Sequence, residues 1–221
     1  MTPIDSCTAV IINFQTPALT MKAMRSFRRW YPEVPLLLVD NGSRDESRAV
    51  LEDYARLDMQ YTRIIVHPEN LHHGPAMDQA LRSLETTWVL FLDSDCEVKK
   101  GGFLEEMVSC LEHDPAGYIV GKMTYMDKRG FDIPKEKGGT PYVRPICMVV
   151  RRMFYLKLPP FRKHGTPCLD NMIAAQERGW GLVGYPIEEY VDHLGRGTAS
   201  LYGYGLGWRG KLNYLLHRIG L

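Results

Sequence analysis

The sequence predicts an α/β protein with a mostly parallel central sheet and helices on both faces. Three observations carry this. Short apolar runs alternate with segments of helical periodicity over the first half of the chain. The runs are continuous rather than alternating, as expected of strands covered on both sides. Polar residues cluster where the runs end: Asn13 and Gln15, then Asp40 and Asn41, then Asp93 and Asp95. In sheets of this kind the ligand site lies at the carboxyl ends of the strands.

Each element follows from local chemistry. Residues 10–13 form a first strand, and Thr16-Pro17 then supplies an N-cap followed by Pro at the first helical position. Leu19, Ala23, Phe27 and Trp30 recur at helical spacing until Pro32 and Pro35 stop the helix. Residues 36–39 form a second strand that ends at Asp40-Asn41-Gly42-Ser43. Val50, Leu51, Tyr54 and Leu57 mark the apolar face of a second helix, and residues 63–66 a third strand. Pro75 opens a third helix with Met77, Ala80, Leu81 and Leu84 on one face. Residues 88–92 are a fourth strand, Phe103, Leu104, Met107, Val108 and Leu111 define a fourth helix, and residues 117–121 a fifth strand. Beyond residue 123 the pattern changes. Residues 127–145 are rich in Gly, Pro and Lys and read as a loop or mobile flap. A strand over 146–150, a helix over 169–178 and a short strand over 181–185 follow. From Gly195 onward there are no acids, and Arg196, Arg209, Lys211 and Arg218 give +4. Leu212, Leu215, Leu216 and Ile219 share a helical face there.

Composition narrows the class. The 221 residues are 45% hydrophobic and 24% charged, ordinary for a globular chain. A chain of this length buries about 70% of its unfolded surface and needs no disulfides to hold a core. The net charge of +1 argues against binding nucleic acid by bulk charge, although a local basic patch stays open. No apolar run approaches the ~18 residues of a transmembrane helix. The start, Met1 to Asp5, does not read as a signal peptide. The five cysteines are widely spaced with no CxxC pair, so no zinc knuckle or disulfide framework is read, and a reducing, cytoplasmic location fits best.

Asp93-Ser94-Asp95 directly follows Val89-Leu90-Phe91-Leu92. Two carboxylates two residues apart, just past a buried strand, can be aimed by one turn at one ligand. Hard oxygen donors suit Mg²⁺ or Mn²⁺, which in turn grip a diphosphate. A pair of solvated loop acids is the alternative.

The surrounding motifs bear on that choice. Ala9-Val10-Ile11-Ile12-Asn13-Phe14-Gln15-Thr16-Pro17 resembles the opening strand and loop of the family 2 glycosyltransferases, which have the GT-A nucleotide-sugar fold. Leu38-Val39-Asp40-Asn41-Gly42-Ser43-Arg44-Asp45 is similar to their second-strand motif, and residues 70–80, from Asn70 through His72-His73-Gly74 to Ala80, to their third-helix motif. Residues 88–95 resemble their DxD segment. These motifs stand in the family's order over roughly residues 8–122, and the compact bacterial rhamnosyltransferase-like branch is the nearest in kind.

The resemblance implies roles. Asp40 would meet the nucleotide base, usually uracil, with Asn13, Phe14, Gln15 and Asn41 lining the pocket and Gly74 and Ser94 beside the donor. Asp93 would hold the ribose and Asp95 a Mn²⁺ or Mg²⁺ ion. Tyr190-Val191-Asp192-His193-Leu194-Gly195-Arg196-Gly197-Thr198 resembles the family's late His-Gly segment, where His193 would complete the metal site and Arg196 would face the leaving phosphate. Asp170 falls where the family places the base that deprotonates the acceptor hydroxyl. It would serve equally to offset the dipole of the helix it opens. The chain departs from the pattern in having Leu169-Asp170 rather than paired acids, Asp78 where Asn is common, and His72-His73 where a small or basic residue is common. Glu188 and Glu189 are the other candidate bases. Adjacent histidines point different ways, so His72-His73 is a poor metal pair by itself. Gly203, Gly205 and Gly207 follow no strand and form no dinucleotide fingerprint.

One domain is expected: a nucleotide-binding half over 1–122, an acceptor-side half over 123–194 and a basic extension over 195–221. The implied activity is a metal-dependent, inverting transfer from a nucleotide-sugar donor, UDP-type above others, to an acceptor hydroxyl on a glycan, a lipid-linked sugar or a modified nucleic-acid base. A nucleotide-sugar-binding module without turnover is the competing class. Peripheral contact of the basic extension with anionic lipid at the inner membrane face stays open.

Overall fold

A computed structural model of the chain describes residues 3–127, 130–162 and 166–195. Arg196 and the rest of the basic extension lie outside the described residues. Strands and helices alternate as β1 (Cys7–Asn13), α1 (Pro17–Trp30), β2 (Leu36–Asp40), α2 (Ser47–Leu57), β3 (Thr62–Val66), α3 (His73–Ser83) and β4 (Trp88–Leu92). The chain continues through β5 (Cys96–Val98), α4 (Phe103–His113), β6 (Gly117–Met126), β7 (Thr140–Arg151), the single turn α5 (Arg152–Tyr155), α6 (Leu169–Glu177), β8 (Gly181–Gly184) and β9 (Val191–His193).

Seven strands form one sheet in the order β3-β2-β1-β4-β7-β6-β8. β3, β2, β1 and β4 are parallel, β7 runs against both of its neighbours, and β8 is parallel to β6. From β1 the chain steps outward to β2 and β3, then returns to the other side of β1 to lay down β4. That reversal opens a crevice at the carboxyl ends of β1 and β4.

Burial explains the continuous apolar runs. Every residue of β1, β2 and β4 is buried. Successive side chains leave a strand on opposite faces. Ala9, Ile11, Leu36, Leu38 and Leu90 therefore join Phe27, Leu51, Phe103 and Leu111 from α1, α2 and α4. Val10, Ile12, Leu37, Val39 and Val89 join Met77, Leu81, Tyr155 and Met172 from α3, α5 and α6. Among the described residues no helix is long and apolar enough to cross a membrane.

Several local expectations are corrected. The loop expected over 127–145 gives way at Thr140, where β7 begins and pairs with β6 from Thr140 to Val143. Pro141 and Pro145 hide this strand in the sequence. They are tolerated because β7 pairs with β4 only from Cys147 onward, so its first half is an edge. The first half of β7 and the second half of β6 thus rise as a hairpin above the carboxyl end of β4. Thr16 sits at the N-cap of α1 without a capping hydrogen bond, and its hydroxyl turns back to Asn13 Oδ1 instead (3.3 Å). The helix read from Pro75 starts at His73. Leu57, read on the apolar face of α2, is 88% exposed because the helix ends there. The short strand β5 goes unread in the sequence.

Gly42 is fixed by two constraints. Its φ is +76°, and a Cβ there would lie 2.2 Å from the carbonyl carbon of Glu69. The loop after β2 and the loop before α3 touch through this one missing side chain. Gly42→Ala is expected to destabilise the protein by on the order of 1–3 kcal/mol from backbone strain alone, with the clash adding to it. Denaturant unfolding measures this, and an unchanged midpoint would mean the two loops separate freely.

Candidate active site

The carboxyl ends of β1 and β2 are locked together by Asn13. Its fully buried amide donates to Asp40 Oδ1 (3.0 Å) and to Ser43 Oγ (3.1 Å). Its oxygen accepts from the Thr20 hydroxyl of α1 (2.7 Å). Asp40, 1% exposed, accepts the Ser43 N–H on its second oxygen (3.2 Å). A carboxylate has about four acceptor positions, so these bonds orient Asp40 without saturating it. Ser43 Oγ also accepts the N–H of Gln15, whose φ of 55° turns the chain sharply after the half-buried Phe14.

Asn41 binds the next loop in the same way. Its amide donates to Asn70 Oδ1 (3.1 Å) and the His72 carbonyl (3.3 Å), and its oxygen accepts the Leu71 N–H (3.2 Å). Gly74 lies buried in the first turn of α3. His73 beside it is half-buried, with Nε2 3.7 Å from Asp93 Oδ1.

Beyond β4, the Asp93 N–H donates to the Ile146 carbonyl of β7 (2.8 Å), and the Cys96 N–H closes a turn onto the Asp93 carbonyl (3.1 Å). That turn buries Ser94 and Asp95. β5 then pairs antiparallel with β9, Cys96 opposite His193. The Leu194 N–H donates to the Asp95 carbonyl (2.9 Å), and His193 Nε2 lies 3.2 Å from Asp95 Oδ1. Donor atoms of Asp93, Asp95 and His193 all fall within 4.8 Å of one another.

The electrostatics of this cluster are those of crowded acids. Burial and the neighbouring Asp95 charge push the Asp93 carboxyl up to about 7, against the pull of His193. The bond to Asp95 raises the His193 imidazole despite its partial burial. Burial lowers His73 to about 4, so that ring is neutral near pH 7. Two carboxylate oxygens and one imidazole within 4.8 Å of one another fit a divalent cation, whose charge would favour the ionised form of Asp93.

A cleft of about 860 Å³ opens from His193. The β6–β7 hairpin contributes Lys122, Thr124, Asp132, Arg144 and Ile146, and the segment up to β9 contributes Glu188, Val191 and Asp192. Lys122 pairs with Glu188 (2.6 Å), and Arg144 with Asp132. Burial pushes Glu188 up, but the hydrogen bonds from Lys122 and its own backbone, with the Lys122 charge, hold it below the usual range.

The structure brings Asp93, Asp95 and His193 together, as their spacing in the sequence could not show. It puts Asn13, Asp40 and Asn41 in one hydrogen-bonded floor. Asp170 is not one of the three grouped donors and is exposed in the first turn of α6. Burial above all, and the Asp93 charge in addition, raise the Cys168 thiol at the N-cap of that helix. Glu188 is in the cleft, and Glu189 is exposed beside it. Sequence reading took His73 only together with His72, as a poor metal pair, and did not connect it with Asp93. Its signal was its place directly before Gly74, where the loop after β3 enters a helix.

Comparison with known proteins gives the family and the fold. The sequence pattern of the family described as Glycosyl transferase family 2 matches residues 8–179. EpsH of Bacillus subtilis (strain 168), named as a glycosyltransferase, is 25% identical over 95 residues, 42% of this chain and 26% of its own length. The mannosyltransferase PcManGT from Pyrobaculum calidifontis, solved with GDP-Man and Mn²⁺, superposes with a TM-score of 0.65 at 16% identity, over 84% of this chain and 56% of that one. GalNAc-T7, solved with UDP, GalNAc and Mn²⁺, gives a TM-score of 0.67 at 13% identity, over 81% of this chain and 42% of that one. The chain thus spans about a quarter of the curated relative and roughly half of these solved chains. The architecture is the GT-A fold, and the chain belongs to glycosyl transferase family 2.

Proposed function

We propose that the chain transfers a sugar, with inversion, from a nucleoside diphospho-sugar of UDP type to an acceptor hydroxyl, and that a divalent cation, Mn²⁺ or Mg²⁺, takes part. The observation that carries this reading is the convergence of Asp93, Asp95 and His193 at the crevice between β1 and β4. Asp95 and His193 would hold the cation, with Asp93 toward the donor's ribose. When bound there, the cation offsets the charge that builds on the departing diphosphate. Ser94, Gly74 and Arg196 belong to the donor side in this reading, although Arg196 lies outside the described residues.

The nucleotide would lie over the Asn13–Asp40–Ser43 floor. Asp40 has acceptor capacity left for a base N–H, and Phe14, Gln15 and Asn41 supply walls and backbone. The acceptor, a glycan or other hydroxyl-bearing group, would enter by the cleft beside His193. Asp170, at the start of α6, is our candidate for the base that takes the hydroxyl proton as oxygen attacks the anomeric carbon. Asp93 and Asp95 are committed to donor and cation and cannot serve.

Two measurements test the reading. Transfer or donor hydrolysis, assayed over a panel of nucleotide sugars, is expected to stop in EDTA and to return with Mn²⁺ or Mg²⁺. Asp95→Asn is expected to lose nearly all transfer while its melting curve stays cooperative, and full activity of either preparation would overturn metal dependence. Asp170→Asn keeps the shape but removes the basicity. It is expected to lower kcat about 10²- to 10⁴-fold, the size of a general-base contribution, and to leave donor Kd unchanged. Normal turnover in Asp170→Asn with a dead Glu188→Gln would move the base into the cleft.

A further inference from the structure

We propose that His73 is a positioning residue for Asp93: in the loaded site its Nε2–H donates to the Asp93 carboxylate and fixes where that carboxylate points. This rests on the reading above, in which Asp93 faces the donor's ribose beside the cation that Asp95 and His193 would hold.

The two acids of the cluster are held unequally. Asp95 is nearly buried, its carboxylate beside His193 Nε2 (3.2 Å) and its carbonyl tied to the Leu194 N–H (2.9 Å). The Asp93 backbone is pinned to Ile146, yet among the described residues no hydrogen bond reaches its carboxylate. The nearest ion-pairing nitrogen, His73 Nε2, is 3.7 Å away, beyond hydrogen-bond range. Hydrogen bonds at catalytic sites are often long in the free protein and tighten only when the complex forms.

The direction of His73 is built in. His72 has a φ of 68°, a left-handed conformation that only surrounding contacts sustain in a non-glycine residue. Those contacts are present: Asn70 Oδ1 accepts the His72 N–H (2.7 Å), and the Asn41 amide donates to the His72 carbonyl (3.3 Å). The strained residue turns the chain so that α3 begins with His73 toward Asp93. A continuous series of contacts then runs from the end of β2, through Asn41, His72 and His73, to the acid after β4. Residues that orient the groups of a metal site from behind typically carry 10- to 100-fold of the site's affinity, and Asp93 supplies one of the three donor atoms gathered there.

The test is Mn²⁺ binding, followed by electron paramagnetic resonance with saturating UDP and, separately, GDP. His73→Ala is expected to weaken Mn²⁺–nucleotide binding about 10-fold or more, with thermal unfolding close to wild type. His73→Gln carries an amide N–H to nearly the same point and is expected to recover most of the loss. Binding in His73→Ala within about twofold of wild type, or a His73→Gln variant that folds but binds no better than His73→Ala, would overturn the proposal. Wild-type protein that binds Mn²⁺ with neither nucleotide would overturn the reading of the site and this inference with it. Failure of the His73 variants alone to differ from wild type sinks only the inference.

Discussion

The site depends on one buried amide. Asn13 ends β1 with no solvent contact, and its side chain binds Asp40 and Ser43 after β2 and Thr20 in α1. An unpaired amide at this depth would be strongly destabilising, so the three segments are held together by the need to satisfy one group. With β1 and β2 locked in register at Asn13 and Asp40, the loops that follow them have fixed starting points. Ser43 then reaches the Gln15 backbone, and Asn41 reaches the loop before α3. The floor of the crevice is a hydrogen-bonded unit rather than a row of separate polar side chains.

The opposite wall is made differently. Asp93 and Asp95 are aimed by a turn whose backbone is pinned on one side to β7 and on the other to the two-stranded pairing of β5 with β9. That pairing carries His193 across the chain to Asp95. Burial, and then the Asp95 charge beside it, push the Asp93 carboxyl up to about 7 against the pull of His193. An arrangement that is unfavourable without a cation is suited to bind one, and it meets the sheet at the crevice where α/β folds bind nucleotides. The family match and the two solved neighbours place this chain among enzymes with that architecture, although it spans only part of their length.

Much was legible in the sequence because the signals are local. The apolar runs of β1, β2 and β4 are continuous since both faces of the sheet are covered, and α4 shows its buried face in Phe103, Leu104, Met107, Val108 and Leu111. Asp93 and Asp95 announce themselves by following β4 directly. Elements whose existence depends on a distant partner were not legible. β5 has three residues and forms only because β9 lies beside it. The first half of β7, with Pro141 and Pro145, reads as a loop until β6 supplies its ladder.

The sequence by itself determined the fold class, the order of its elements and the acids at its strand ends, because periodicity and turn chemistry act over a few residues. Only the tertiary structure decided which side chains meet. It brought His193 to Asp95 across nearly a hundred positions, turned His73 toward Asp93 through a strained His72, and left Asp170 at an exposed helix start. Such meetings are set by strand order and loop-to-loop hydrogen bonds, which no local pattern in the chain encodes.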